Sequence, residues 1–171
     1  MKLAWWREAL IALDERDAPA EPLLQAAKEK LLPAGITGTA LAALADGWEH
    51  LLAEDILGAE HCSAYAGARG GILFRLSAQL LDCELPAGLE AAGAGWALVD
   101  LARHSSRGDE VRGALELARA RFAEAPRRWP ARLRPLGMLA VLAGGDAAAG
   151  PGTPGSPARM LRMLAHRITG R

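Results

Sequence analysis

The chain has 171 residues, of which 51% are hydrophobic and 23% charged, so we expect one soluble globular domain with a substantial core. Twenty basic and twenty acidic residues give a formal net charge of zero, which argues against nucleic acid as a partner. One tyrosine and two phenylalanines beside five tryptophans argue against a β-sandwich, and we expect an all-α bundle over residues 1–171.

Apolar residues recur at intervals of three and four, which predicts eight helices separated by proline and glycine clusters. In chain order the helices cover residues 2–14, 20–32, 38–54, 59–82, 87–104, 109–124, 132–143 and 158–169. Pro22 lies near the start of the second helix, and Thr37 or Thr39 is the expected N-cap of the third. The glycine- and proline-rich residues 144–157 are expected to form a flexible surface loop inside the domain.

Three glycines within five positions interrupt the fourth predicted helix, at Gly67, Gly70 and Gly71. Glycine costs about 1 kcal/mol inside a helix relative to alanine. We therefore expect either a kink at this place or a very close approach by another helix.

The last predicted helix is amphipathic and basic. The apolar residues that we expect to face the core are Met160, Leu161, Leu164 and Ile168. The basic residues are Arg159, Arg162, Arg167 and Arg171. They indicate either a solvated end of the bundle or a peripheral contact with a membrane surface.

Charge is distributed unevenly along the chain. Residues 1–102 carry 7 basic and 15 acidic side chains, whereas residues 103–171 carry 13 arginines and 5 acidic side chains. The two halves should attract each other, or a basic face should bind an anion.

The cysteines and the first residues favour a cytoplasmic protein. Cys62 and Cys83 are too few for a disulfide scaffold and lack the spacing of a zinc or redox site. The opening MKLAWWREAL becomes polar within eight positions, and no apolar run approaches the about 20 residues that span a bilayer. We expect neither a signal peptide nor a membrane span.

No pattern in the sequence predicts a catalytic residue or a metal ligand set. His50, His61 and His166 have no carboxylate or cysteine at ligand spacing, and we interpret them as surface or helix-end residues. No predicted strand precedes the glycine-rich stretches, so they are not expected to bind a nucleotide.

Two groups of polar residues have spacings that could carry chemistry. Asp100 and His104 are four residues apart on one helical face, where they could share a hydrogen bond, jointly bind a metal, or form an ordinary surface pair. The second group consists of Arg103, Arg107, Arg127, Arg128, Arg132 and Arg134. These arginines could converge on a phosphate-bearing ligand, or form a solvated basic face that pairs with the acidic first half.

Four segments together resemble the squalene/phytoene synthase family of class I isoprenoid synthases, in particular its divergent bacterial members. KLAWWREAL is similar to the family's R-L-x-W-W-R-x-x-L helix, and residues 20–26 correspond to its H-P-x-x-x-A-L segment. YAGARG, at residues 65–70, looks like a shortened Y-x-x-x-V-A-G-x-V-G. GWALVDLARHSSRG stands where the family has A-x-Q-L-T-N-I-L-R-D-x-x-E-D. The resemblance covers essentially the whole chain and implies a truncated form of that helical fold.

The resemblance also implies a damaged active site. Active members use two acidic clusters to bind magnesium, which holds the diphosphate of a substrate such as farnesyl or geranylgeranyl diphosphate. Here Arg103 matches the second cluster, but His104, Arg107 and Gly108 replace its acidic residues and Asp100 replaces its asparagine. The first cluster would precede the segment with which this sequence begins. Magnesium is therefore expected only if residual prenyltransferase activity exists, and no other cofactor is implied.

We expect no catalytic residue, and the candidate substrate-binding residues are Tyr65, Asp100, Arg103, His104 and Arg107. The first hypothesis is a catalytically degenerate relative with an accessory, scaffolding or isoprenoid- or lipid-binding role, because a similar degenerate relative is a mitochondrial complex I assembly factor. The alternative is a residual prenyl-diphosphate transferase in squalene or carotenoid biosynthesis, in which arginines replace magnesium. A helical scaffold without a ligand fits the composition equally well.

The resemblance further predicts a partner. Without the leading helices of the family, apolar surface around Trp5, Trp6 and residues 67–71 should be exposed. A homodimer or another protein would then cover this surface, and a prenyl diphosphate or lipid would be the ligand.

Overall fold

A computed structural model describes residues 2–52, 57–150 and 155–171, and all regular structure in these residues is helical. The predicted all-α fold is confirmed, and each predicted helical block contains a helix. The α-helices of the described residues are α1 Lys2–Ala12, α2 Pro22–Ala26, α3 Gly38–Glu49, α4 Ala59–Ala66, α5 Ile72–Leu80, α6 Leu89–His104, α7 Gly108–Ala123, α8 Arg134–Ala149 and α9 Pro157–Thr169.

Helices α4 and α5 are joined by the five π-helical residues Gly67–Gly71, called here the π segment. A β-carbon added to Gly70 would lie 2.0 Å from the backbone oxygen of Gly93 on α6, and one added to Gly93 would lie 2.2 Å from the oxygen of Gly70. The two backbones are therefore in direct contact. The expected close approach by another helix is confirmed, and the stretch is π-helical.

Helix α6 lies at the centre of the bundle, where it packs against α4, the π segment, α5, α7 and α8. Its buried side is made largely of alanine and glycine, which lets these neighbours approach closely. Larger side chains, among them Phe74, Leu98 and Tyr65, fill the core around it. Helices α1, α2 and α3 pack on a separate apolar cluster centred on Leu13 and Leu24.

The Asp14 side chain, just after α1, forms hydrogen bonds with the first residues of α3. Its carboxylate accepts hydrogen bonds from the backbone amides of Gly38 and Thr39 and from the Thr39 hydroxyl. Thr37, one of the two predicted candidates, is the N-cap of α3. Its hydroxyl accepts a hydrogen bond from the backbone amide of Ala40 at 3.0 Å. Desolvation raises the pKa of Asp14, but the hydrogen bonds from Thr39 and Gly38 outweigh it and hold this pKa below its usual value.

The predicted flexible loop over residues 144–157 is wrong in its first part, because α8 continues to Ala149. The Gly144-Gly145 pair lies inside the helix and does not end it. A β-carbon on Gly144 would touch the Phe122 ring at 3.7 Å, and one on Gly145 would lie 1.8 Å from the Arg162 guanidinium. Gly150, with φ of +86°, ends the helix instead. Residues 151–154 of the predicted loop lie outside the described residues.

The predicted orientation of the last helix is also wrong. Met160, Leu161, Leu164 and Ile168 are exposed, whereas His166, which we interpreted as a surface or helix-end residue, is fully buried. Of the surface expected to need a partner, Trp5 is exposed, but Gly70 and Gly71 are buried against α6.

We predict that Gly70→Ala lowers the free energy of unfolding by about 3 kcal/mol, because the new β-carbon would force the π segment and α6 apart. Gly67→Ala is the matched control in the same segment. Outside the local helix, no atom would lie within 4 Å of its added β-carbon, so alanine should stabilise the protein by about 0.5–1 kcal/mol. Urea unfolding of both variants measures the difference. Equal losses in the two variants would contradict the backbone contact.

We predict that Asp14→Ala costs about 1 kcal/mol of stability at neutral pH, because α3 loses hydrogen bonds at its first turn. A carboxyl group whose folded pKa is depressed stabilises the protein above its unfolded pKa. That contribution disappears as pH falls through the folded pKa. The stability gap between wild type and Asp14→Ala should therefore close as pH falls below the ordinary value of 3.8.

The control is Asp17→Ala. Asp17 lies with Asp14 in the segment between α1 and α2 but makes no side-chain hydrogen bond or ion pair to the described residues. It should change stability by less than about 0.5 kcal/mol at any of these pH values. Chemical unfolding at several pH values provides the comparison. A gap between wild type and Asp14→Ala that stays constant down to acidic pH would refute the assigned role of the carboxylate.

Candidate functional site

A cleft of about 600 Å³ opens where α6 ends and α7 begins, opposite α3 and α4. The side formed by α3, α4 and the residues next to them is apolar or aromatic and consists of Trp48, Leu51, Leu57 and Tyr65. The side formed by the end of α6 and the start of α7 is mainly polar and consists of Asp100, Leu101, His104, Ser105, Ser106, Arg107 and Glu110. The cleft can therefore accept a molecule that has both an apolar part and a polar part.

Tyr65 and Trp48 form the aromatic part of the wall. Their rings pack edge to face with centroids 5.6 Å apart. Burial raises the pKa of the Tyr65 phenol; Arg69 lowers this pKa and Asp100 raises it, so the hydroxyl stays protonated at neutral pH. The Tyr65 side chain is only 1% exposed, and its hydroxyl makes no hydrogen bond to the described residues.

Glu110 holds the polar rim together. Its carboxylate accepts a hydrogen bond from the Ser105 hydroxyl at 2.6 Å and from the Leu57 amide at 3.3 Å. The Arg107 guanidinium lies 3.5 Å from the same carboxylate and 3.5 Å from that of Asp109. The charge of Arg107 is thus already balanced by two carboxylates from the first turn of α7.

Asp100 and His104 form a local pair at the end of α6. His104 Nδ1 donates to the backbone carbonyl of Asp100 at 2.8 Å and lies 3.6 Å from the Asp100 carboxylate. The ring is exposed, as expected for an ordinary pair near a helix C-terminus. This geometry satisfies Nδ1 inside the helix and leaves one ring nitrogen for a ligand.

The residues at the cleft do not suit a magnesium ion. Within the described part of the chain, no three His, Cys, Asp or Glu side chains lie close enough together to hold a metal. Magnesium prefers oxygen ligands in octahedral geometry, and here a guanidinium and an imidazole lie beside the Asp100 and Glu110 carboxylates.

Four of the five candidate residues line this one cleft: Tyr65, Asp100, His104 and Arg107. Arg103 does not. It faces α8 and forms an ion pair with the buried carboxylate of Asp146, which also pairs with Arg159 of α9. The arginine group therefore does not converge, because Arg127, Arg128, Arg132 and Arg134 belong to the segment between α7 and α8 and to the start of α8.

Arg69 is a feature of the site that sequence reasoning missed. Its guanidinium lies between two indole rings, 5.5 Å from the centroid of Trp48 and 5.6 Å from that of Trp96. Its Nε atom is buried and has no hydrogen-bond partner among the described residues. The three residues come from α3, the π segment and α6, so no local spacing indicates that they meet. Together they link the wall of the cleft to the core.

We predict that Arg69→Met lowers the free energy of unfolding by about 2 kcal/mol, because two partly desolvated cation–π contacts are lost. The control is Arg112→Met on α7, since Arg112 is exposed and makes no ion pair to the described residues. It should cost less than about 0.5 kcal/mol. Urea unfolding followed by tryptophan fluorescence measures both. Equal effects would show that the stacked arrangement does not stabilise the fold.

None of the helices in residues 2–52, 57–150 and 155–171 is long and apolar enough to cross a membrane. Comparison of the chain with family models, with curated proteins and with solved structures gives no match. The resemblance to squalene/phytoene synthases accordingly stays a prediction.

Proposed function

We propose that this protein is a non-catalytic binding protein that takes an isoprenoid-like ligand, an apolar chain with a polar head, into the cleft beside α6. The observation that carries this proposal is the meeting of four predicted residues, Tyr65, Asp100, His104 and Arg107, with an apolar wall in one cleft. Such a role agrees with the predicted resemblance to squalene/phytoene synthases and does not require their prenyl-transfer reaction.

The two sides of the cleft suit the two parts of such a ligand. Trp48, Leu51 and Leu57 offer a surface on which a branched hydrocarbon chain gains about 25 cal/mol for each Å² removed from water. The rim provides donors from Ser106 and from the remaining N–H groups of Arg107, and acceptors from Asp100 and from Nε2 of His104. A hydroxyl or phosphate head can be bound by these groups without a metal.

The alternative, a residual prenyl-diphosphate transferase, has less support. It requires arginines that can replace magnesium at the diphosphate. Arg103 is paired with Asp146, and Arg107 is paired with Asp109 and Glu110. Both guanidinium charges are already balanced by carboxylates, so neither charge is left to neutralise a diphosphate.

The proposed setting is the cytoplasm, with peripheral contact at a membrane surface where isoprenoid-like molecules dissolve. Cys62 and Cys83 are free thiols, which agrees with a reducing compartment. A homodimer or an additional protein partner stays a prediction, with exposed Trp5 as one part of the surface it would cover.

We predict that farnesyl diphosphate and farnesol both bind in the absence of magnesium, as measured by isothermal titration calorimetry. Ser106→Trp, at the exposed rim of the cleft, should weaken binding about tenfold or more because the indole fills the entrance. Parallel samples are assayed for diphosphate release, and none is expected.

The matched control is Glu84→Trp, which adds the same side chain to an exposed loop outside the cleft and should leave both affinities unchanged. Failure of both ligands to bind would refute the proposed function. Magnesium-dependent release of diphosphate would favour the transferase instead.

A further inference from the structure

Helix α9 turns its apolar side to solvent. The fractional exposures of its outer residues are 63% for Met160, 66% for Leu161, 54% for Leu164 and 67% for Ile168. At 100° per residue these four side chains share one side of the helix, called here the outer face of α9. An amphipathic helix that belongs only to its own bundle would bury this side.

The opposite, polar side of α9 is held against α8 by specific contacts. Arg159 forms an ion pair with Asp146, a carboxylate that is itself buried. His166 is fully buried, packs edge to face on Trp129 with ring centroids 6.1 Å apart, and occupies the space that a side chain at Gly137 would need. Arg162 lies over Gly145 in the same way. Rotation of α9 to bury its outer face would break all of these contacts.

The end of α9 is fixed as well. Arg134 Nη1 donates to the backbone carbonyls of Arg167 at 2.7 Å and Ile168 at 3.2 Å. The Trp129 amide donates to the carbonyl of Gly170 at 2.8 Å. These bonds place the segment before α8 directly beside the last residues of the chain.

The surroundings of the outer face are strongly basic. Residues 155–171 contain four arginines and no aspartate or glutamate. The hydrogen bond between Trp129 and Gly170 brings their chain neighbours, the exposed Arg128 and Arg171, close to each other. Arg127 and Arg162 line one shared recess beside α9. Of the arginines that do not line the cleft, Arg127, Arg128 and Arg134 lie at this end of the molecule, whereas Arg103 pairs with Asp146 and Arg132 with Asp82.

We propose that the outer face of α9 docks on an anionic lipid surface. Apolar side chains would enter the boundary between head groups and acyl chains, while the neighbouring arginines bind lipid phosphates. Helix α9 has 13 residues, whereas a helix needs about 20 residues to span a bilayer. It would therefore lie in the plane of the membrane surface.

A second copy of the chain fits this face poorly. A two-fold interface pairs a patch with itself, so Arg167 and Arg171 of each copy would meet a patch in which no acidic residue of α9 balances them. An anionic lipid surface supplies the missing negative charge. The inference identifies the element that makes the proposed membrane contact, and it does not depend on what the cleft binds.

The test is co-sedimentation of the full chain, without any isoprenoid, with vesicles of phosphatidylcholine that contain phosphatidylglycerol. We expect binding that falls as sodium chloride is raised, and little binding to phosphatidylcholine alone. The double variant Leu161→Gln, Leu164→Gln should reduce binding about tenfold. Its matched control is Leu23→Gln, Leu52→Gln, which changes two leucines exposed by 67% and 74% elsewhere and should bind as wild type does.

The charge contribution has its own pair of variants. Arg128→Gln, Arg167→Gln should weaken binding and flatten its salt dependence, whereas Arg16→Gln, Arg112→Gln, at exposed positions outside the basic end, should change neither. Circular dichroism checks that each variant is folded. Since all these side chains are exposed, a loss of binding is not expected to come from unfolding.

Three results would overturn the proposal: no binding to anionic vesicles at low salt, equal binding to neutral and anionic vesicles, or equal losses in the variant and its matched control. Sedimentation velocity without vesicles adds a fourth. A dimer that Leu161→Gln, Leu164→Gln converts to monomer would assign the outer face to a second copy. None of these results bears on ligand binding in the cleft, which the calorimetric titration measures separately.

Discussion

The contact between the backbones of Gly70 and Gly93 is the constraint on which the arrangement of the bundle depends. Side chains at either position would separate the π segment from α6, the helix that packs against five other elements. The contact is possible because neither glycine carries a β-carbon, and Gly70 lies in a π turn, a geometry that is frequent at functional sites. Tyr65 lies two residues before the π segment and Arg69 lies within it, and both side chains are close to Trp48.

Helix α6 has two roles along its length. Residues 91–95 in its first half are all alanine or glycine and allow close packing, whereas its last part carries Asp100 and His104 and ends at the cleft. Asp146 has a comparable role on the other side of the bundle, because it pairs with Arg103 of α6 and Arg159 of α9. A buried carboxylate of this kind costs desolvation energy, so its partners are strongly constrained in position. The proposed ligand cleft and the proposed lipid-binding helix are therefore tied to the same central helix.

Local chemistry in the sequence was sufficient for the helices. Proline at position 22 and threonine at position 37 indicated helix starts correctly. Four of the five candidate site residues line one cleft and Arg103 does not, and their role in binding stays a prediction. Non-local contacts decided what could not be predicted. Gly145 continues a helix because Arg162 covers it, and His166 is buried because Gly137 leaves room for it. Helix α9 shows the limit of amphipathic patterns, which identify an apolar side but do not say whether it meets the core or something outside the chain.

The most direct test of the central claim, that the cleft beside α6 is the ligand site, is nuclear magnetic resonance of the tryptophan indole groups during titration with farnesol. Trp48 lines the cleft, whereas Trp5 and Trp6 lie on α1 and Trp129 lies beneath α9. The account predicts that the Trp48 indole resonance shifts in a saturable way, while those of Trp5, Trp6 and Trp129 stay in place. A saturable shift confined to Trp129, or no shift at Trp48, would contradict it.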